Sequence, residues 1–428
     1  MSTVALAKAA RVASRTVQAV GAADRQAGLR RMADALCQRS EEILAANSLD
    51  QEEAARAVEA GDMSAAMAAR LKLSTSRLEV LAEGMRGMAD QSDPLGRVLR
   101  RTEVAEGLVL SQETVALGVV LVIFESRPDV LPQLASLALA SGNGLLLKGG
   151  KEAYRSNRML HRVLTEALEP ELPASLIGLV ETREEVGELL ALDAWIDLVI
   201  PRGSNQLVRS IQQNTRIPVL GHADGICHVF VDQEADPEMA QSVVLDAKTD
   251  YPAACNAMET LLVHRNYVGL EGLLDMLRGQ GVRLFGGPQA VAQCALDPAD
   301  SMAVEYGDLA ATVEIVEDLE SAIAHIHAHG SGHTDCIVTE SAPCAERFLR
   351  QVDSACVFHN ASTRFADGYR FGLGAEVGIS TARLHARGPV GVDGLLTTRW
   401  RLEGRGHTVA AFSRGEKNYT HRSLAIDE

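Results

Sequence analysis

Aromatic residues are scarce in this chain, and their scarcity is the first clue to its architecture. Only 4% of the 428 residues are Phe, Trp or Tyr, whereas 46% are hydrophobic. The core must therefore be built largely from alanine, valine and leucine. Small residues let helices pack closely on sheets, so this composition favours an α/β protein of roughly two or three domains.

Three classes of protein are disfavoured by what the chain does not contain. Its 41 basic residues stand against 57 acidic ones, a net charge of −16, which argues against nucleic-acid binding. No apolar run approaches the roughly 18 residues of a membrane helix, so no membrane association is expected. The seven cysteines form no CxxC motif, which indicates reduced thiols and a cytoplasmic location rather than a disulfide framework.

Two binding signatures are incomplete. Gly142 and Gly144 begin a GxGxxG dinucleotide fingerprint, but Leu147 occupies its third glycine position. A histidine-dense segment at residues 325–333 lacks both the acid of HExxH and a cysteine pair. We therefore expect no metal, and interpret these histidines as a polar, hydrogen-bonded site near a catalytic pocket.

Sequence periodicity divides the chain into regions. Residues 3–90 are rich in helix formers, with breaks predicted at Asn47, Gly61 and Ser74. Residues 97–113 predict a β-hairpin, and residues 115–124 predict one strand buried on both faces. Strands and helices then alternate, which predicts an open, mostly parallel sheet with helices on both faces and ligands at the carboxyl ends of its strands.

One cysteine is a candidate nucleophile. Cys255 lies at residues 246–264, within the stretch DAKTDYPAACNAMETLLVH, where an irregular approach precedes an apolar segment. A helix or turn is predicted to begin at Cys255, and the N-terminus of a helix would favour its thiolate. The alternative is that Cys255 is a small buried residue, as most free cysteines are, and the stretch alone leaves both interpretations open.

Basic and glycine-containing turns follow two of the predicted strands. Lys148 and Lys151 follow one strand, and the turn Arg202-Gly203-Ser204 follows another and opens a helix. Such a turn at a helix N-terminus can cradle an anion, and the added basic residues predict NADP rather than NAD. The alternative is a solvated pair of lysines and a plain helix cap.

Residues 354–400 are rich in glycine, hydroxyl and amide side chains, and they include Arg364, Arg370, Arg383 and Arg387. Long loops of this composition are usually functional. Arginine beside hydroxyls and amides suits a substrate that carries carboxylate and phosphate groups.

Several long motifs carry a resemblance to a known family. The chain resembles the γ-glutamyl phosphate reductases (glutamate-5-semialdehyde dehydrogenases) of the aldehyde dehydrogenase superfamily over essentially its whole length. It is especially similar to the reductase half of the bifunctional pyrroline-5-carboxylate synthases. Besides the Cys255 stretch, the resemblance rests on FESRPD, SGNGLLLKGGKEA, IPRGSN, PVLGHADGICHVFVD, AIAHIHAHGSGHTDCI, FGLGAEVGIST and RLHARGPVG. Nothing in the chain corresponds to the synthases' amino-terminal kinase domain, so we expect a stand-alone reductase supplied by a separate glutamate 5-kinase.

The resemblance implies an α/β fold of the aldehyde dehydrogenase type with three parts. Residues 1–96 and 118–247 would form a Rossmann-type NADP-binding domain. Residues 248–388 would form an α/β catalytic domain. Residues 97–117 and 389–428 would form a small β oligomerisation element that supports a homodimer or homotetramer.

The resemblance also implies a reaction. Cys255 would attack L-glutamyl 5-phosphate and release phosphate, and NADPH would reduce the resulting thioester to L-glutamate 5-semialdehyde in proline biosynthesis. The oxyanion would be held by the backbone N–H of Cys255, with Ser126 as a weaker candidate. The implied cofactor-binding residues are Lys148, Lys151, Arg202, Gly203, Ser204 and Glu305. The implied substrate-binding residues are Ser126, Asn360, Ser362, Thr363, Arg364, Ser380 and Arg387.

One carboxylate is missing. Hydrolytic members of the superfamily carry a glutamate just before a Leu-Gly-Gly turn, and Val219 occupies that position here. Without a general base at this point, the thioester would be protected from water. Two alternatives remain: an acylating aldehyde dehydrogenase with coenzyme A as leaving group, and an inactive subunit that assembles through edge strands. The retained Cys255 and the cofactor turns argue against the inactive subunit.

Overall fold

The computed structural model describes residues 2–182, 184–203, 205–221 and 224–426, and Ser204 lies outside these ranges. The helices are α1 (Thr3–Ala19), α2 (Ala22–Gln38), α3 (Ser40–Glu59), α4 (Ala65–Arg70), α5 (Thr75–Ala89), α6 (Val130–Ser141), α7 (Tyr154–Leu168), α8 (Glu184–Leu189), α9 (Asn205–Gln213), α10 (Pro237–Thr249), α11 (Leu270–Gly279), α12 (Pro288–Cys294), α13 (Leu319–His329), α14 (Ala342–Gln351) and α15 (Val409–Ser413). Within the described ranges, no helix is both long and apolar enough to cross a lipid bilayer.

The strands are short and mostly buried. They are β1 (Val98–Ala105), β2 (Leu108–Ala116), β3 (Val119–Phe124), β4 (Gly144–Lys148), β5 (Ile177–Val180), β6 (Leu198–Arg202), β7 (Cys227–Val231), β8 (Met258–His264), β9 (Arg283–Gly286), β10 (Asp297–Pro298), β11 (Ala310–Val316), β12 (Thr334–Val338), β13 (Cys356–His359), β14 (Ile379–Ser380), β15 (Gly388–Pro389), β16 (Leu396–Glu403) and β17 (Arg422–Ser423).

The first sheet is parallel, with the strand order β5-β4-β3-β6. Alternate residues of a strand face opposite sides, so Val120 and Val122 pack into one hydrophobic cluster while Val119 and Leu121 pack into another. Helices α6 and α7 contribute to the first cluster and α9 to the second. The predicted parallel sheet with helices on both faces is confirmed.

The predicted single strand at residues 115–124 is wrong. Leu117 and Gly118 separate β2 from β3, and the two strands belong to different sheets. Gly118 has φ +134°, and a Cβ there would overlap the carboxylate of Asp197. The apolar run hid this change of direction because both strands are rich in buried residues.

The break predicted at Asn47 is also wrong. Asn47 lies inside α3 and is fully buried. Its Nδ2 donates to the carbonyl of Leu71 at 2.8 Å, and its Oδ1 accepts from the N–H of Leu73 at 2.9 Å. Asn47 therefore tethers the chain that enters α5 rather than ending a helix. Ser74 is confirmed as a boundary, since its Oγ accepts from the N–H of Arg77 and caps α5.

The second sheet is also parallel, with seven strands in the order β10-β9-β11-β8-β7-β12-β13. Its central strand β8 is buried along its whole length. Hydrophobic clusters cover both of its faces: Leu261 packs into one with α10 and α11, and Leu262 packs into the other with α13 and α14. A nearly continuous apolar run is what such a strand requires.

A third, antiparallel sheet has the order β16-β2-β1-β17. The predicted hairpin is confirmed, with Gly107 in its turn at φ +72°. Strand β16 pairs with β2 from Leu396 opposite Ala116 to Glu403 opposite Val109. This sheet therefore joins the tail of the chain to the hairpin that precedes the first sheet.

Candidate active site

Cys255 lies in a tight turn between α10 and β8 and is half-buried. Two successive turns shape the loop, since the N–H of Ala254 donates to the carbonyl of Tyr251 at 3.0 Å and the N–H of Ala257 to that of Ala254 at 2.9 Å. The predicted turn is confirmed and the predicted helix is not. The helix before it, α10, ends at Thr249, so the helix-dipole argument for the thiolate does not apply.

The peptide of Cys255 is held from several sides. The Cys227 thiol donates to the carbonyl of Cys255 at 3.3 Å, and its sulfur lies 3.7 Å from Nδ1 of His333. Burial raises the pKa of Cys227 well above its ordinary value, so this thiol keeps the proton that it donates. A Cβ on Gly225 would overlap the carbonyl of Cys255. On the other side, Nδ2 of Asn256 donates to the carbonyl of Ala366 at 2.8 Å.

The second sheet presents the amino ends of its strands at this point. Gly225 precedes β7, Cys255 precedes β8 and His333 precedes β12. The first sheet instead presents carboxyl ends, where Lys148 ends β4 and Arg202 ends β6. The candidate residues of the first sheet therefore follow their strands, as predicted, whereas those of the second sheet precede theirs.

Lys148 and Lys151 stand beside a cavity of about 260 Å³ that opens after β4 and β5, and Lys151 lines it. Nζ of Lys148 donates to the carbonyl of Gly149, and burial lowers the pKa of Lys148. Ser126, which follows β3, has φ +47°. Its N–H and Oγ both donate to Oε1 of Glu152, at 2.6 and 2.7 Å, so Glu152 ties the loop after β3 to the loop after β4.

Gly203 and Glu305 come together although they are about a hundred residues apart. Glu305 lies in the loop before β11, and its Oε2 accepts from Nδ2 of Asn205 at 3.2 Å. Asn205 is the first residue of α9 and lies just beyond the turn that contains Gly203. A Cβ on Gly203 would overlap the side chain of Glu125 and meet that of Leu207 at 2.8 Å, so both would have to move to admit a side chain. Two predicted cofactor residues, one from each parallel sheet, thus flank the same helix start.

Arg202 points elsewhere. Its Nη1 donates to the carbonyl of Glu376 at 3.5 Å, and its Nη2 lies 4.0 Å from Oε1 of the same residue. Burial lowers the pKa of Arg202, and the charges that act on it include Glu376, Arg127, Asp129 and the thiolate of Cys255. The guanidinium therefore lies toward the loop of Glu376 and within electrostatic reach of Cys255, not at the cavity beside Lys151.

Three predicted substrate residues lie beside the cysteine loop. Ser362, Thr363 and Arg364 are buried in and next to a short 3-10 helix, Thr363–Phe365. Nε of Arg364 donates to Oδ2 of Asp250 at 3.1 Å, just before the loop of Cys255. This segment therefore packs against the chain that leads to the nucleophile.

Asn360 is not brought to Cys255. Its side chain is bound to the backbone of Thr339, accepting from the N–H at 2.9 Å and donating to the carbonyl at 3.0 Å. Thr339 follows β12, and the pairing of Val338 with Val231 puts it at the carboxyl end of β7. Cys255 contacts the amino end of β7, which is four residues or roughly 13 Å away.

The last two predicted substrate residues have local partners. Oγ of Ser380 accepts from the N–H of Ala382 at 3.1 Å. Nη1 of Arg387 donates to Oδ1 of Asp353 at 2.9 Å, and Asp353 also pairs with Arg383. Arg387 thus forms part of an ion-pair group beside β13, two strands away from β7.

The histidine-dense segment packs on the α13 side of the second sheet. Nδ1 of His228 lies 2.9 Å from Oδ1 of Asp335, with both side chains fully buried. The ring of His325 lies 5.6 Å from that of His228 and 4.7 Å from that of His329. Burial and these two neighbours lower the pKa of His325 to about 3. Among the described residues, no three His, Cys, Asp or Glu side chains are arranged to hold a metal ion.

Sequence reasoning missed three residues near Cys255 or Arg202: Cys227, Arg127 and Glu376. Cys227 is buried within an apolar stretch and carries no local signal of its role, whereas His333 belongs to the histidine-dense segment that was predicted to lie near a catalytic pocket. Arg127 did carry a signal, because it lies in FESRPD directly after a buried strand. Glu376 reaches the site through a loop whose path the sequence pattern does not determine.

Comparisons with known proteins agree with this geometry. The aldehyde dehydrogenase family model matches residues 2–270. The chain is 57% identical over 426 residues to Delta-1-pyrroline-5-carboxylate synthase A of Arabidopsis thaliana, covering 98% of this chain and 58% of that protein. It is 50% identical over 411 residues to Gamma-glutamyl phosphate reductase of Synechococcus sp. (strain JA-3-3Ab), covering 94% and 90% of the two chains. The crystal structure of Gamma-glutamyl phosphate reductase from Thermotoga maritima matches with a TM-score of 0.90 at 36% identity, covering 95% and 100%.

The fold and the family model together define a protein of the aldehyde dehydrogenase class. The chain spans little more than half the length of the synthase but nearly all of the reductases. It therefore belongs to the γ-glutamyl phosphate reductases of the aldehyde dehydrogenase family. The resemblance inferred from its motifs and the predicted fold class are confirmed.

Proposed function

We propose that this protein reduces L-glutamyl 5-phosphate to L-glutamate 5-semialdehyde with NADPH and releases phosphate, as a step in proline biosynthesis. The observation that carries the proposal is the half-buried Cys255 in a turn held by Cys227, within electrostatic reach of Arg202 at the end of β6. The names of the relatives, one a reductase of γ-glutamyl phosphate, point to the same substrate.

The chemistry proposed for Cys255 is nucleophilic. Its Sγ bonds to the C5 carbonyl carbon, the bond from that carbon to the phosphate oxygen breaks, and phosphate leaves with the electron pair. The backbone N–H of Cys255 is the proposed donor to the oxyanion, and Gly225 and Cys227 keep this peptide in place. NADPH, when bound, supplies hydride to the thioester. Collapse of the thiohemiacetal returns an electron pair to Sγ and frees the aldehyde.

Protection from water is part of this proposal. Val219, at the position of the hydrolytic glutamate, is half-buried, and its backbone forms an isolated parallel β-bridge with Val199 of β6. An apolar side chain there cannot deprotonate water, so the thioester persists until it is reduced.

We assign the cofactor to the loops at the carboxyl ends of the first sheet. The residues fit a dinucleotide, because Gly203 stands directly before the start of α9, where backbone can approach a phosphate group, and the cavity beside Lys151 can admit a nucleotide group. Lys148 and Lys151 supply positive charge for the additional phosphate of NADPH, so we propose a preference for NADPH over NADH.

In Lys151→Ala, we expect the KM for NADPH to rise about tenfold, as for one charge-assisted hydrogen bond, with the KM for NADH unchanged. An equal rise for both would contradict the preference.

We assign the remaining tasks by region. Residues 1–96 and 118–247 bind the cofactor, and residues 248–388 hold the acyl group. Residues 97–117 and 389–428 assemble the protein into a homodimer or homotetramer. The substrate is the product of a glutamate 5-kinase reaction.

Exposed apolar residues on the antiparallel sheet support the assembly proposal. Trp400 and Leu402 on β16 and Leu99 on β1 are each at least half exposed. Apolar side chains grouped on an exposed sheet mark an interaction surface. The double variant Trp400→Glu, Leu402→Glu should lower the mass measured by light scattering to that of a monomer. An unchanged mass would place the interface elsewhere.

The decisive assay follows NADP⁺ reduction with pyrroline-5-carboxylate and phosphate, the reverse reaction. Wild type should turn over, Cys255→Ala should not, and the half-buried Cys294→Ala should match wild type. Replacing phosphate with coenzyme A tests the acylating alternative. Turnover with coenzyme A alone, or absence of turnover in wild type, would overturn the proposal.

A further inference from the structure

A cavity of about 500 Å³ lies among α5, the start of α6 and the loop at residues 367–376, apart from the cavity beside Lys151. Four arginines line it, Arg77, Arg127, Arg202 and Arg370, together with the largely buried carboxylate of Glu376. Of these residues, only Arg202 is among those that the family resemblance implies for binding the cofactor or the substrate. Both Arg202 and Glu376 are within electrostatic reach of the Cys255 thiolate.

Two of these arginines form no ion pair at hydrogen-bonding distance. Within the described part of the chain, the half-buried guanidinium of Arg127 has no hydrogen bond or salt bridge. Arg202 approaches Glu376 only to 4.0 Å, well beyond the roughly 2.8 Å of a hydrogen-bonded ion pair. Arg370 differs, because it donates to Oδ2 of Asp250 and to the carbonyl of Arg364. Cationic groups that are half-buried and unpaired are costly without an anion to meet them.

Glu376 is arranged to receive a cation. Its Oε2 accepts from the N–H of Gly368 at 2.8 Å, which leaves Oε1 on the side of Arg202. Burial raises the pKa of Glu376, with Arg202 acting in the opposite direction. The cavity therefore offers adjacent binding sites for an anion and for a cation, close to the nucleophile.

We infer that this cavity binds the α-amino acid end of the substrate, with Arg127 and Arg202 on the α-carboxylate and Glu376 on the α-ammonium group. This rests on the function proposed above and adds the residues that select an amino acid over a simple acyl phosphate. A phosphate group is the less suitable occupant, because a dianion beside the Glu376 carboxylate would be repelled. An amino acid end carries both charges and pairs with both sites.

The test compares three aldehydes in the reverse reaction. They are L-glutamate 5-semialdehyde, 5-oxopentanoate, which lacks the ammonium group, and 4-aminobutanal, which lacks the carboxylate. Arg127→Gln should raise the KM for the first two aldehydes about 10- to 100-fold, the usual loss for a hydrogen bond to a charged group. Its KM for 4-aminobutanal should not change. Glu376→Gln should raise the KM for the semialdehyde and 4-aminobutanal, but not for 5-oxopentanoate.

Arg77→Gln is the matched control, because Arg77 lines the same cavity but is paired with Asp129. It should leave all three KM values unchanged. Arg127→Lys should recover part of the loss, and the aldehyde whose KM stays constant shows that each variant is folded. If Arg127→Gln and Glu376→Gln change the KM equally for all three aldehydes, or for none, this inference is overturned. The proposed function would still stand in that case, because wild type turns over. No phosphate-dependent turnover in wild type would instead overturn the function itself.

Discussion

Lys248 and Glu259 form an ion pair inside the second sheet's domain, with 3.0 Å between Nζ and Oε2 and at most 1% of either side chain exposed. The carboxylate of Glu259 also accepts from the N–H groups of Tyr306 at 3.1 Å and Gly307 at 3.3 Å. These two residues directly follow Glu305. The pair therefore supports the loop that carries Glu305 to the start of α9.

Breaking this pair should weaken both the fold and cofactor binding. Glu259→Gln leaves the Lys248 ammonium buried without its partner, which should lower the free energy of unfolding by about 3–5 kcal/mol. Because the Glu305 loop loses its support, the Kd for NADPH should rise as well. Urea unfolding and fluorescence titration measure the two effects. The double variant Lys248→Met, Glu259→Gln should recover stability but not cofactor affinity, and a wild-type Kd in Glu259→Gln would contradict the positioning role.

Gly225→Ala should inactivate the protein with little effect on global stability. Its Cβ would overlap the carbonyl of Cys255 and shift the nucleophile. A displacement of about 1 Å costs roughly 100-fold in rate, so kcat should fall by about that factor. Gly87→Ala is the matched control, since a Cβ on Gly87 meets nothing within 4 Å. A kcat within twofold of wild type for Gly225→Ala would show that the cysteine loop is not held at this point.

Val219→Glu should convert part of the reductive flux into hydrolysis. A carboxylate at this position could act as a general base toward water, an effect typically worth about 100-fold or more when geometry is good. We expect at least about a tenfold rise in esterase activity toward p-nitrophenyl acetate. Val219→Gln has nearly the same shape without the charge and should show no rise. Identical esterase rates in the two variants would argue against this placement of the hydrolytic base.

His325 should make the protein less stable in acid. Its pKa is lowered to about 3 in the folded protein by burial and by His228 and His329, whereas an unfolded histidine titrates near about 6.5. Between these values the unfolded chain binds a proton that the folded chain does not. The free energy of unfolding should therefore fall as the pH drops below about 6.5, by at most about 1.4 kcal/mol per pH unit for this proton.

Urea unfolding at pH 7, 6 and 5 measures this dependence. His325→Leu should flatten it, because the residue no longer titrates. His327→Leu, on the exposed face of the same helix, should keep the wild-type slope. Equal slopes in wild type and His325→Leu would mean that another group controls the acid response.

The parallel sheets were predictable from sequence because strands such as β8 are buried on both faces and must be apolar throughout. The turn at Cys255 was predictable for a related reason, since small and polar residues directly precede that strand. The boundary at Gly118 was not predictable by hydrophobicity, because β2 and β3 are both largely buried although they belong to different sheets.

Contacts between distant segments were the least predictable part of the site. The hydrogen bond from Asn205 to Glu305 spans a hundred residues, and the approach of Arg202 to Glu376 spans 174. Asn360 is close to Ser362 in sequence but not in its contacts. Its side chain is bound to Thr339 at the carboxyl end of β7, whereas Cys255 contacts the amino end. Loop composition indicates that a segment is functional but not which of its side chains faces the nucleophile.

At the candidate site the first sheet presents the carboxyl ends of its strands and the second sheet the amino ends. Two separate sets of loops therefore form the site, and each set can change in evolution without the other. Loops that follow strands of the first sheet carry Lys148 and Gly203, whereas loops that precede strands of the second carry Gly225 and Cys255. If the coenzyme and Cys255 act as proposed, insertions or exchanges in the first set can alter coenzyme choice without moving the nucleophile. Conversely, the cysteine loop can be redesigned for a different acyl group while the coenzyme loops are retained, so this scaffold suits stepwise engineering of one specificity at a time.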